Sequence, residues 1–168
     1  MSKYSPGVVK DIEIIVRFVT SPMFFNSRTR KLKANFFSHV TSAGCSIQRN
    51  SIALDAELSD LICKSLSRDS DSLWIGVLSA QCNNLREIKI ENVPSLSLCV
   101  YDTANKENPA HGEICATQDV LEPEDLVELR GALFAAFNDG NIIPPIEYRD
   151  GAVLHSLPQA LQTRRLEA

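Results

Sequence analysis

Four stretches in the second half of the chain follow one another with strand-like patterns and no helical period between them. They are SDSLWIGVLSAQ (70–81), LREIKIENV (85–93), SLSLCVYD (95–102) and HGEICATQ (111–118). The first is nearly continuous in its apolar character, as a buried strand is. The second sets Leu85, Ile88 and Ile90 among charged residues and is stopped by Pro94, and the third alternates Leu96, Leu98 and Val100 with Ser95, Ser97 and Cys99. A run of this kind breaks the strict strand–helix–strand alternation of a doubly wound parallel sheet. It points instead to an α+β fold with a mixed or antiparallel sheet of about five to six strands.

The rest of the pattern fits that frame. DIEIIVRFVT (11–20) reads as the first strand and CSIQRNSI (45–52) as the second, joined by a long connection over 21–44 that forms a loop or a short helix. Two main helices are expected. In LDAELSDLICKSLSRD (54–69), Leu54, Leu58, Leu61, Ile62 and Leu66 fall on one face. In EPEDLVELRGALFAAFNDG (122–140), Pro123 suits the first turn, Glu124 and Asp125 favour the positive end of the helix dipole, and Gly140 is a stop signal. Leu126, Leu129, Leu133, Phe134 and Phe137 form the apolar stripe of that helix, and Gly131 is expected to allow close packing on the sheet. Residues 1–140 thus read as one α+β domain, and 141–168, with two adjacent prolines and weak periodicity, as a C-terminal arm or tail.

Composition narrows the setting. The chain has 168 residues, 44% of them hydrophobic and 23% charged, as in an ordinary globular domain. No apolar run approaches the roughly 18 residues needed to span a bilayer. The acidic pair Asp11 and Glu13 precedes the first apolar run, unlike the basic start of a secretory signal, so the expected location is cytoplasmic with no membrane contact. Five cysteines stand at positions 45, 63, 82, 99 and 115, and no pair has zinc-site spacing. They read as free, mostly buried thiols, and no metal or cofactor is implied.

Charge is polarised along the sequence. Residues 1–50 hold eight Lys/Arg against two acids, and residues 51–168 hold nine against nineteen. The basic half carries the cluster RTRKLK, with Arg28, Arg30, Lys31 and Lys33. Such asymmetry suits a basic patch for a phosphate, a nucleic acid or an acidic partner, or two faces that attract each other or a second copy of the chain, unless folding scatters the charges. Nucleic acid is a weaker fit despite the flanking Phe24, Phe25, Phe36 and Phe37, because the whole chain is acidic and phenylalanine pairs beside an apolar strand are usually core.

Two further places hold chemistry-bearing residues. NPAHGEI (108–114) puts His111 after an Asn-Pro turn signal, with Glu113 on the same strand face and Ile114 on the other. A histidine and a carboxylate on one face can act as an acid–base pair, but a histidine at a strand entrance more often satisfies a group of the turn. FFSHVTSAGCSIQR (36–49) gathers hydroxyls, His39, Gly44, Ser46 and Arg49. That mixture can hold a phosphate or simply make a self-bonded polar loop.

The segments FFSH…GCSIQR and NPAHGEI together resemble small uncharacterised bacterial proteins, a resemblance that implies no activity. In layout the chain also resembles the ADP-ribosyltransferase and NAD-glycohydrolase superfamily. That resemblance implies Arg17 holding dinucleotide phosphates, Ser46 supporting the ribose and Glu113 stabilising an oxocarbenium-like transition state, although the superfamily's Ser-Thr-Ser and Glu-x-Glu signatures are missing here. The leading expectation is a small binding or accessory domain that serves a protein partner. An NAD-handling enzyme and a nucleic-acid-binding accessory follow in that order.

Overall fold

The structure, a computed structural model, describes residues 3–5, 7–53, 73–118 and 121–144. The helical pattern over 54–69, Cys63, and the part of the C-terminal extension beyond residue 144 lie outside the described residues.

β1 (Ile14–Ser21) is buried at every position after Ile14, which explains its β-branched, non-alternating sequence: it lies inside the sheet with both faces covered. β5 (Leu73–Gln81) pairs with it along its length, and β4 (Cys45–Arg49) pairs on its other side. β7 (His111–Ala116) then joins β4, and β6 (Leu98–Asp102) closes the far edge. The order β5-β1-β4-β7-β6 is antiparallel throughout. The α+β class expected from the run of strand patterns is what the chain adopts.

The sequence expectation fails at 85–93. The chain there makes a short helix, α2 (Cys82–Arg86), and then a single bridge between Ile90 and Val93, not a strand. The step from Leu85 to Ile88 is three residues, a helical spacing, and Cys82 and Leu85 bury together one turn apart. Two of the N–H groups that any helix start leaves unmet find partners outside the helix: Cys82 donates to the Glu13 carbonyl at 2.9 Å and Asn83 to that of Asp11 at 3.0 Å. β4 is also shorter than the 45–52 pattern, since Asn50 opens a helical turn, α1 (Asn50–Ala53).

The long connection resolves into three pieces. A cis Ser21–Pro22 bond ends β1. A two-stranded hairpin follows, β2 (Phe25–Asn26) with β3 (Lys31–Leu32), and a 3₁₀ turn over Ala34–Phe37 drops Phe36 and Phe37 into the core. α3 (Pro123–Ala136) packs Leu129, Leu133 and, just past its end, Phe137 against the same core, with Phe37 between Phe134 and Phe137 at ring separations of 5.0 and 5.2 Å. Positive φ at Asn138, Asp139 and Gly140 prevents the helix from continuing. Gly131 does not serve close packing: it is exposed, and a Cβ there would meet nothing within 4 Å. Among the described residues no helix is long and apolar enough to cross a membrane.

Candidate functional site

Two arginines point into the core side of the sheet, and they do different things. Arg49, at the end of β4, is 5% exposed. Its Nε and Nη2 donate to the two carboxylate oxygens of Glu13, both at 2.8 Å, and Nη1 donates to Asp102 at 2.9 Å and to the Gly7 carbonyl. Asp102 is itself held by the Ser5 hydroxyl at 2.8 Å and the Ala104 N–H at 2.9 Å. The guanidinium proposed from sequence as part of a phosphate loop therefore has its donors engaged within the chain. It ties the N-terminal segment to β4 and the end of β6.

Arg17, in the middle of β1, is equally buried, and no carboxylate pairs with it among the described residues. Nη1 donates to the Ser46 carbonyl at 2.5 Å and Nη2 to the Phe36 carbonyl at 2.8 Å. The rings of Phe36, Phe24 and Phe37 lie 4.7, 5.2 and 5.8 Å from the guanidinium carbon, within cation–π range. Burial pulls the guanidinium below its ordinary pKa, with the nearby Cys45 acting weakly in the other direction. An arginine nonetheless stays charged in a protein. Its Nε is buried without a hydrogen-bond partner among the described residues.

The reason for this arrangement lies in the ladder. Arg49 N–H donates toward β7, to the Ala110 carbonyl at 2.8 Å. Backbone groups alternate in direction along a strand, so those of Gln48 and Ser46 point toward β1 and those of Val16 and Phe18 point back toward β4. Yet only Ile15–Arg49 and Val16–Gln48 are in register. Beyond them the two central strands part, and the Arg17 side chain reaches across to the Ser46 carbonyl that a continued ladder would have used.

The parting opens a cavity of about 290 Å³. Phe18, Met23, Phe24 and Ile47 give it apolar walls, and Arg17, His39, Ser46 and Gln48 give it polar ones, with Gly44 at the rim. Gln48 is 7% exposed, and its Oε1, like the Arg17 Nε, is buried with no hydrogen-bond partner among the described residues. His39 and Ser46 are exposed at their positions.

The residues singled out from sequence are partly brought together. Arg17 and Ser46 meet through the Ser46 carbonyl, and Ser46 faces Glu113 across the β4–β7 ladder. His39 shares the cavity with them, whereas His111 stands opposite Gln48 farther along β4. The His111 ring bonds through Nδ1 to the Thr103 hydroxyl at 2.7 Å, and its backbone closes the β6–β7 turn, so it satisfies that turn. Glu113 is half-buried on the face away from the core, with Ile114 fully buried on the other. Cys45 and Cys82 are buried free thiols whose pKa burial raises, so the core holds them protonated.

Arg28, Arg30 and Lys31 are exposed on the β2–β3 hairpin, and Lys33 is half-buried at its foot. The Asn26 side chain organises the turn by accepting from the N–H groups of Arg28 and Thr29 at 3.0 and 3.2 Å. No ion pair engages any of the four cations among the described residues. No group of three or more His, Cys, Asp or Glu side chains is placed to hold a metal among those residues.

Sequence reasoning missed Gln48 and the carboxylate partners of Arg49. Gln48 left no distinctive trace, since β4 reads CSIQR with Ser46 and Arg49 as further polar residues. Compared with family models, with curated proteins and with solved structures, the chain finds no match in any of the three.

Proposed function

We propose that this chain is a binding domain whose partner-facing element is the β2–β3 hairpin, and that its partner presents an acidic protein surface. The observation that carries the reading is the hairpin itself: Arg28, Arg30 and Lys31 at its exposed turn and Lys33 at its foot, none neutralised by a carboxylate among the described residues. Clustered unpaired cations raise the encounter rate with an opposite surface and disfavour like-charged ones. The Lys33 N–H closes the hairpin onto the Phe24 carbonyl at 2.8 Å, and the hairpin is tied to β1 by the Phe24 N–H donating to the Thr20 carbonyl at 2.8 Å and by the Ser21–Ser27 hydroxyl bond at 2.9 Å, so the cations are presented on a bonded scaffold.

Replacing Arg28, Arg30 and Lys31, exposed on the hairpin, and the half-buried Lys33 together by glutamine should leave the domain folded with its melting temperature lowered by a few degrees at most, because substitutions away from the core typically alter stability by less than about 0.5 kcal/mol each. The same variant should lose a stoichiometric protein partner that nuclease-treated wild-type protein retains on purification. Retention of that partner by the variant would refute the reading. Affinity for an oligonucleotide that falls steeply with salt, with no protein partner, would transfer the hairpin to a nucleic-acid role.

A second reading, an NAD-handling enzyme, is supported by the register that sets Ser46 against Glu113 beside Arg17. It expects the wild-type chain to consume NAD and Glu113→Gln to abolish that turnover at unchanged melting temperature. Wild-type protein that leaves NAD intact would dismiss it.

A further inference from the structure

We propose that the parting of β1 and β4 is a binding cleft for a small amphiphilic anion, a molecule with one carboxylate or phosphate head on an apolar body. This site is separate from the basic hairpin and does not depend on its having a partner.

Arg17 is a buried cation that meets two carbonyl oxygens and three aromatic faces but, among the described residues, no carboxylate. Carbonyl dipoles and ring faces moderate its field without cancelling it, and low-dielectric walls transmit that field into the adjoining space. The cavity is therefore a place where an anion is favoured over a neutral molecule of the same shape.

Hydrogen-bonding capacity is unfilled at the same place. Arg17 and Gln48 both line the cavity, and the Arg17 Nε and Gln48 Oε1, buried just behind its surface, have no hydrogen-bond partner among the described residues. Buried polar groups in folded proteins are nearly always satisfied, and of the six exceptions among the described residues two belong to side chains that line this one opening. The Gln48 amide presents donors toward an anion by turning about its last torsion, since its two ends are interchangeable in shape. The His39 imidazole and the Ser46 hydroxyl stand at the exposed side of the opening and complete the set that would hold a head group.

The remaining walls select the body. Phe18, Met23, Phe24 and Ile47 are apolar, and about 290 Å³ lies at the small end of known ligand sites. A ring or short aliphatic chain carrying a single anionic head matches both the volume and the division into a polar and an apolar side. The β1–β4 ladder, interrupted after two pairs, leaves the strand backbones directed into the same gap, so amide resonances there will report occupancy.

Three probes test the site on the full chain: phenylacetate, phenyl phosphate and the uncharged phenylacetamide, titrated in amide-resolved NMR to ~10 mM, where a ligand of millimolar Kd fills most sites. The expected result is saturable shifts at Phe18, Gly44 and Ser46 with one or both anions, and Kd at least about tenfold weaker for the amide. The stronger of the two anions identifies the head. His39→Ala, at an exposed position, and Gln48→Leu, of similar volume, should each weaken the anion by about threefold or more while the unliganded spectrum stays folded. The proposal is overturned if the amide binds as well as the anions, if the shifts map to residues 26–33, if neither anion moves any resonance, or if both folded variants bind like wild type.

Discussion

Methionine in place of Arg49 is expected to destabilise the domain by about 3–5 kcal/mol, because removing one member of a buried ion pair strands its partners without compensation. In a chain of this size that corresponds to a fall in melting temperature of about 10 °C. The side chains of Arg49, Glu13 and Asp102 are 6%, 15% and 5% exposed, so solvent can neither screen nor replace the lost contacts. Methionine keeps the stem packed and removes only the charged head, which separates electrostatics from cavity formation. Glu13→Gln and Asp102→Asn should each cost less than Arg49→Met, since each leaves the guanidinium one carboxylate. In Arg49→Met, adding Glu13→Gln should recover stability, since it neutralises a stranded carboxylate. Thermal and urea unfolding of the four proteins and of the double variant form a cycle that reads this coupling directly. A melting temperature unchanged in Arg49→Met would show that the N-terminal segment is not held by this clamp.

The clamp also shows where sequence reading stopped. Glu13, Arg49 and Asp102 lie far apart in the chain, and nothing local marks them as partners. The acidic pair Asp11 and Glu13 argued against a secretory leader, while their structural work is different: Asp11 pairs with Arg86, the two backbone carbonyls cap α2, and Glu13 holds Arg49. What was legible is what periodicity encodes over a few residues. β5 and β7 fall within their expected stretches, β1 begins inside its own, and α3 starts at Pro123 and ends before Gly140. The α+β class followed from the order of patterns, which left a mixed and an antiparallel sheet both open; the pairing that makes it antiparallel is long-range. The step at 85–93 was misread because a three-residue apolar spacing inside a short segment fits a helical turn as well as an irregular strand.

The candidate cavity was legible only in its parts. Arg17, His39 and Ser46 were each singled out, and their convergence depends on the register of β4 against β1, a long-range property that no local pattern supplies. The same holds for the aromatic residues around Arg17. Phe24, Phe36 and Phe37 read more often as core than as stacking groups, and the structure places Phe36 and Phe37 in the core, where they cover the guanidinium.

Gly76→Ala should cost about 3 kcal/mol, from overpacking against atoms that cannot rotate away together with an unfavourable backbone angle. Gly76 sits at φ +149 in β5, opposite Val19, just where the β1–β5 register shifts. Bulges of this kind bend a strand and favour glycine. Here a Cβ would lie 2.2 Å from the carbonyl oxygen of Ile143 and 2.7 Å from the Ile142 side chain. The first contact is with backbone, so no rotamer change relieves it. The chain at 142–143 must move, and with it go the two hydrogen bonds that join Ile143 to Val77, at 2.8 and 3.0 Å. Those bonds extend the sheet past β5 with the first residues of the C-terminal extension, and Ile143 is buried there. Gly76→Ala thus tests whether the extension's docked start contributes to the domain's stability. Hydrogen exchange separates the outcomes: the amide of Ile143 should lose protection in the variant while Ile15 and Leu78, inside the sheet, keep theirs. Protection at Ile143 equal to wild type, with an unchanged melting temperature, would mean that the extension does not press on β5 at this point.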